Sequence, residues 1–191
     1  DFPDFNFRLA AAARRLGVPV VYYVSPQVWA WRRGRVRTLA RLVDLMLVIF
    51  PFEEAVYREA GIPVEFVGHP LIELVKTGTP RAAWLAELGF EPNAPTIALL
   101  PGSRPNEVAQ LLPPLRDAVR TIVGQVPTAQ FIVARAPGLD DRLFGRAAAW
   151  EGPGRVSVVD GRTDDALSVA DLVVTASGTA TIQAAIHGRP M

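Results

Sequence analysis

The run Pro101-Gly102-Ser103-Arg104-Pro105 concentrates residue types suited to holding an anion. Glycine permits a tight turn, serine offers a hydroxyl, and the free backbone amides at a helix start favour a diphosphate. Arg104 adds a planar fork that matches phosphate oxygens. Pro105 suits the first helical position, and Glu107 is placed to cap the helix by reaching back to the Arg104 amide. An ordinary strand-to-helix turn with a surface arginine reads the same way. The run Ala176-Ser177-Gly178-Thr179-Ala180 provides a second such turn, and two of them at one sheet edge make a stronger case than either alone. Gln183, one helical turn further on, has the chemistry to hydrogen-bond a ribose or sugar hydroxyl, and equally that of an exposed helix residue. Neither turn has the G-x-x-x-x-G-K spacing of an ATPase or the G-x-G-x-x-G spacing of a dehydrogenase.

In the first third, Asp1-Phe2-Pro3-Asp4-Phe5-Asn6 places two carboxylates and an amide in an expected loop before a helix. A carboxylate within reach of a sugar hydroxyl is a general base, whereas Asp4 or Asn6 could instead cap the helix. Ser25-Pro26-Gln27-Val28-Trp29-Ala30-Trp31 leads into Arg32, Arg33, Arg35, Arg37 and Arg41, with no acidic residue before Asp44. That pattern is a solvated helix face, or an aromatic and basic patch for phosphates or an anionic membrane surface. His69 and His187 stand alone in the sequence, no D-x-D pair occurs, and neither a metal site nor a cofactor is expected.

The elements that must position these residues alternate between helix and strand. Helix is predicted over 7–16, 35–41 and 52–60, with strands over 18–24, 42–49 and 64–67. Prolines and glycines interrupt 68–95, around a helix at 81–88, and the domain boundary is placed there, giving domains 1–73 and 74–191. Strands at 96–100, 130–134, 155–159 and 171–176 then alternate with helices at 105–123, 140–150, 164–170 and 179–187. The first of these helices is expected to break at Pro113-Pro114. The pattern is that of two doubly wound Rossmann-like α/β domains with parallel sheets, whose ligands lie at the carboxyl ends of the strands. Asp1 to Asp4 reads as a loop following a strand, and Met191 stops where another strand is due, so both domains are expected to be incomplete in this chain.

Half of the 191 residues are hydrophobic and 20% are charged, which excludes disordered and fibrous classes. A net charge of +1 gives no reason to expect nucleic acid as a partner. Cysteine is absent, which removes disulfides, thiolate metal sites and cysteine nucleophiles, and fits a reducing compartment. The longest apolar runs, such as 45–52, fall far short of a membrane span.

The strings Asp1 to Asn6, Tyr23 to Trp31, Pro51-Phe52-Glu53, Phe66-Val67-Gly68-His69-Pro70, Leu100 to Arg104 and Ala176 to Ala180, in this order, closely resemble the lipid-A-disaccharide synthase family, and the likeness runs through essentially the whole chain. The resemblance implies a GT-B glycosyltransferase. It would join UDP-2,3-diacylglucosamine to 2,3-diacylglucosamine 1-phosphate (lipid X) through a β-1,6 linkage, with inversion and without a metal. By the same likeness Asp1 falls on the family's candidate base and Arg104 on its diphosphate-binding arginine. Ser177, Gly178 and Thr179 would take part in UDP binding. Asp4, Asn6, Ser25, Trp29, Gly102, Ser103 and Gln183 complete the substrate-binding set. The enzyme is expected in the cytoplasm, peripherally bound to the inner membrane through the segment from Trp29 to Arg41. At position 183 the family usually has glutamate, which puts donor affinity or specificity in question. Two rival readings are another GT-B transferase or epimerase acting on a UDP-sugar, and a nucleotide-sugar-binding or membrane-docking module without catalysis.

Overall fold

The computed structural model describes residues 2–75, 80–144, 150 and 155–191. The chain divides into two compact units, Asp1–Ile72 and Glu73–Met191. In the first, strands β1 (Val21–Tyr23), β2 (Leu45–Val48) and β3 (Val64–Phe66) form a parallel sheet in the order β1-β2-β3. Tyr22, Met46 and Val64 lie abreast across it. Parallel neighbours need crossovers, and helices α1 (Pro3–Arg15), α2 (Arg35–Leu42) and α3 (Glu53–Glu59) flank them in sequence. Leu39 of α2 and Tyr57 of α3 are fully buried with Met46 and Val48 of β2, and these side chains make the core of the unit.

Two local features differ from expectation. Helix α1 begins at Pro3 rather than residue 7, because proline at the first helical position lacks only an amide that would have no helical partner anyway. Asp4 and Asn6 are therefore helical residues and not loop residues. Strand β1 is shorter than 18–24. Val20 is held by Asp44, through its own amide to the carboxylate at 2.8 Å and through its carbonyl to the Asp44 amide at 2.9 Å. At the other end, Val24 still donates to the Leu47 carbonyl at 3.1 Å but turns to φ 66°, which ends the strand.

The second unit is a four-stranded parallel sheet, ordered β6-β5-β4-β7. Its strands are β4 (Thr96–Leu100), β5 (Gln130–Arg135), β6 (Arg155–Asp160) and β7 (Leu172–Thr175). The short helix α4 (Leu71–Leu74) precedes α5 (Arg81–Glu87), and α6 (Pro105–Gln125), α7 (Asp141–Phe144), α8 (Thr163–Val169) and α9 (Thr179–Ile186) follow. Every residue of β4 is buried. Ile97, Leu99, Phe131 and Val133 pack against Val108, Leu112, Val119 and Val123 of α6 on one face. Ala98, Leu100 and Ile132 pack on the other face with Trp84 of α5, Leu167 of α8 and Ala184 of α9. Alternate residues of one strand thus feed two apolar cores, which is why these strands read as continuous hydrophobic runs.

Helix α6 runs unbroken through Pro113 and Pro114, contrary to the expected break. Each proline removes one backbone donor, yet Leu112 and Val119 on either side are both buried against the sheet. Packing along the whole length outweighs the local cost. Of the helix expected over 140–150, α7 accounts for the start, and residues 145–149 lie outside the described residues. Trp150 is buried, with the Arg116 guanidinium 5.3 Å from its ring centre.

Candidate functional site

Strands β4 and β7 are parallel neighbours, with Leu100 opposite Thr175, so their carboxyl ends meet at one edge of the second sheet. The Ala176 amide donates to the Leu100 carbonyl at 2.9 Å and ties the two following turns together at their bases. Above this bond lies a cleft of about 250 Å³, lined by Gly102, Ser103, Arg104, Ser177, Gly178, Thr179 and Gln183 among others. Every candidate that the sequence placed on these two turns borders the same space. Thr163, at the start of α8, and Ala136, after β5, complete the wall. The rule that loops after strands carry ligands pointed to the position of Ala136, whereas an alanine has no chemistry of its own to single it out.

Gly102 adopts φ +118°, and a Cβ there would lie 2.9 Å from Glu107 Oε2 and 3.1 Å from Glu107 Cβ. The turn can approach the first turn of α6 this closely only with glycine. Arg104 is well exposed and donates to Glu107 Oε1 at 2.6 Å. That hydrogen bond from Arg104, aided by its charge and by the amides of Ser103 and Arg104, holds the Glu107 carboxyl below the usual carboxylate range. The same carboxylate therefore engages the groups that a phosphate would use, and a bound anion must displace it. Gly178 caps the start of α9 at φ +147° and ψ −155°, a region reserved almost entirely for glycine. It brings the first amides of α9, which lack helical partners, to the cleft.

Gln183 donates from Nε2 to Asp164 Oδ1 at 3.3 Å. The same oxygen lies 3.2 Å from His187 Nε2. His187 stood alone in the sequence, but in the fold it has a carboxylate partner on α8, and its side chain is only 2% exposed. Asp164 and His187 were not among the expected site residues, because nothing local links positions so far apart in the sequence.

In the first unit, Asp1 lies outside the described residues. Asp4 pairs with Arg35 of α2, and α1 has no side-chain cap. Asn6 donates to the Tyr22 hydroxyl at 3.4 Å and borders an open depression beside β1. Ser25 is buried, its hydroxyl donating to the Pro26 carbonyl at 2.9 Å and lying 2.6 Å from the Tyr57 hydroxyl. Burial pushes the Tyr57 phenol up to about 12, against the opposing effect of the Ser25 hydrogen bond. Ser25 thus pins the loop that carries the tryptophans. Trp29 meets Phe52 edge-on at 5.1 Å, and Arg32 and Arg35 stand 4.8 and 5.7 Å from the Trp31 ring centre. Trp31, Arg32, Arg33, Arg37 and Phe52 are all exposed, forming an aromatic and basic surface.

No group of three His, Asp or Glu side chains suited to a metal occurs among the described residues. Among them, no helix is long and apolar enough to cross a membrane.

The family model for lipid-A-disaccharide synthetase matches residues 1–191. The chain belongs to that family. It is 46% identical over 191 residues to the lipid-A-disaccharide synthase of Syntrophus aciditrophicus (strain SB), covering 100% of this chain and 50% of the relative. Identity is 46% over 192 residues with the enzyme of that name from Myxococcus xanthus (strain DK1622), again 50% of its length. With that of Nitrosococcus oceani (strain ATCC 19707 / BCRC 17464 / JCM 30415 / NCIMB 11848 / C-107) it is 43%, covering 49%. The chain therefore spans about half the length of these curated relatives. Its two parallel α/β units are consistent with the GT-B architecture that the sequence implied.

Proposed function

We propose that this chain carries part of the donor-binding unit and part of the acceptor-side unit of an inverting glycosyltransferase of lipid A synthesis. The enzyme transfers 2,3-diacylglucosamine from its UDP derivative to 2,3-diacylglucosamine 1-phosphate and releases UDP. The observation that carries this reading is the single cleft at the β4 and β7 ends, where the turns at Gly102 and Gly178 meet. Two helix starts and one arginine provide amides and positive charge for a diphosphate. Arg104 exchanges its Glu107 partner for phosphate oxygens and so holds the donor's diphosphate in the cleft.

The acceptor 6-hydroxyl oxygen attacks the anomeric carbon. A new carbon–oxygen bond forms on the face opposite UDP, the bond to UDP breaks with its electron pair leaving on the phosphate, and the hydroxyl proton passes to a carboxylate. One displacement inverts the anomeric centre. From the family likeness we assign that carboxylate to Asp1, and we assign Asp4, Asn6 and Trp29 to the acceptor side. The surface of Trp29, Trp31, Arg32, Arg33, Arg37 and Phe52 suits an anionic leaflet, with aromatic rings at headgroup depth and arginines on phosphates. We assign it to the cytoplasmic face of the inner membrane.

The test is a chromatographic transfer assay, with both acylated substrates, on the protein that carries this chain. Asp1→Asn is expected to lower turnover by roughly 10²–10⁴-fold while UDP binding stays within about twofold. Unchanged turnover removes Asp1 as the base, and absence of any disaccharide product from the parent protein removes the reaction.

A further inference from the structure

The cluster Gln183, Asp164 and His187 has a consequence for the ligand cleft. An ionised carboxylate only accepts hydrogen bonds. Asp164 Oδ1 lies 3.3 Å from the Gln183 amide and 3.2 Å from His187 Nε2, so both neighbours must present N–H groups to it. The orientation of a glutamine amide is normally ambiguous, but here the carboxylate settles it, with nitrogen toward Asp164 and the carbonyl oxygen at the other end. The imidazole likewise presents an N–H to Asp164 from Nε2. The His187 side chain is almost entirely enclosed and holds Asp164 through the same oxygen. Gln183 itself borders the cleft.

We infer that Asp164, backed by His187, is a positioning residue that locks Gln183 as a hydrogen-bond acceptor for a ligand hydroxyl. An unrestrained glutamine could offer either end and would discriminate poorly between a hydroxyl and its absence. A locked acceptor takes a hydroxyl proton every time and leaves a polar oxygen unpaired when the hydroxyl is missing. The ligand chemistry is a hydroxyl of the nucleotide ribose or of the sugar. The inference rests on the nucleotide-sugar reading of the cleft.

Binding of UDP, 2′,3′-dideoxy-UDP and UDP-N-acetylglucosamine to the full chain, measured by calorimetry, separates the possibilities. One neutral hydrogen bond predicts that the parent chain prefers the ligand with the hydroxyl by about fivefold. The isosteric Asp164→Asn frees the Gln183 amide to turn and is expected to bring that preference close to one. Collapse of the UDP over dideoxy-UDP ratio assigns the ribose, and a fall of about fivefold in the UDP-N-acetylglucosamine over UDP ratio from parent to variant assigns the sugar. Gln183→Met should abolish the same ratio, and the double variant should lose nothing further, because Asp164 acts through Gln183. Gln183→Met also supplies the test if Asp164→Asn does not fold. Ratios unchanged in either variant overturn the inference while leaving the donor cleft standing. Additive losses in the double variant assign Asp164 a merely structural role and overturn it too. A parent chain that binds none of the three ligands refutes the donor reading itself and the ligand-facing role of Gln183 with it.

Discussion

Replacing Gly102 with alanine perturbs the cleft at one atom. The φ of +118° at this position is a backbone conformation that an L residue adopts at a cost of about 1–2 kcal/mol. The added Cβ would also stand 2.9 Å from Glu107 Oε2 and 3.1 Å from Glu107 Cβ. The carboxylate end can swing away, but the Cβ of Glu107 is fixed to α6, so turn and helix must separate by a few tenths of an ångström. Overpacking of that kind adds about 1 kcal/mol. The expected loss is about 2–3 kcal/mol, which at about 4 °C per kcal/mol for a unit of this size lowers its melting temperature by about 8–12 °C. Gly178 provides the comparison, since it shares the restricted backbone but has no atom within 4 Å of a built Cβ. Gly178→Ala should therefore cost about 1–2 kcal/mol, from backbone strain alone. Scanning calorimetry of the two variants checks the difference. UDP calorimetry on folded Gly102→Ala should show at least roughly tenfold weaker binding, because Ser103 and Arg104 move with the turn. A melting temperature within about 2 °C of the parent would refute the argument from close approach. Normal UDP affinity in a destabilised variant would show that this turn does not hold the diphosphate.

Arg104→Ala removes one charge-assisted bond to the diphosphate, and after the cost of separating Arg104 from Glu107 a loss of about tenfold in UDP-sugar affinity is expected. It should appear in KM, with turnover of the bound donor little changed, and an unaltered KM counts against the phosphate role. In the first unit, the Asp44 carboxyl is held below its ordinary 3.8, first by the Val20 amide and then by Arg14. A depressed folded value means that its contribution is complete above about pH 4 and fades as pH falls through the lower folded value. The melting difference between parent and Asp44→Asn should accordingly be largest at neutral pH and shrink in acid, and a difference independent of pH would sink the assignment.

The order of elements and the two turns that matter can be read from the residues alone. Beta-branched and aliphatic runs such as Thr96 to Leu100 are legible because a parallel strand covered on both faces is apolar throughout, and the glycines of the two turns mark where the backbone must leave ordinary φ values. These are local signals, carried by neighbours in the chain. The start of α1 at Pro3 and the unbroken path of α6 through Pro113-Pro114 were not legible, because in α6 the gain from packing many residues on the sheet exceeds a local penalty. Packing brings Leu100 and Ala176 together, since strand order is set by which faces bury each other and not by proximity in sequence. Packing likewise turns Ser25 inward to Tyr57 and brings Gln183 and His187 to one oxygen of Asp164. Such contacts join groups from separate elements, and their chemistry exists only once the sheet has brought those elements together.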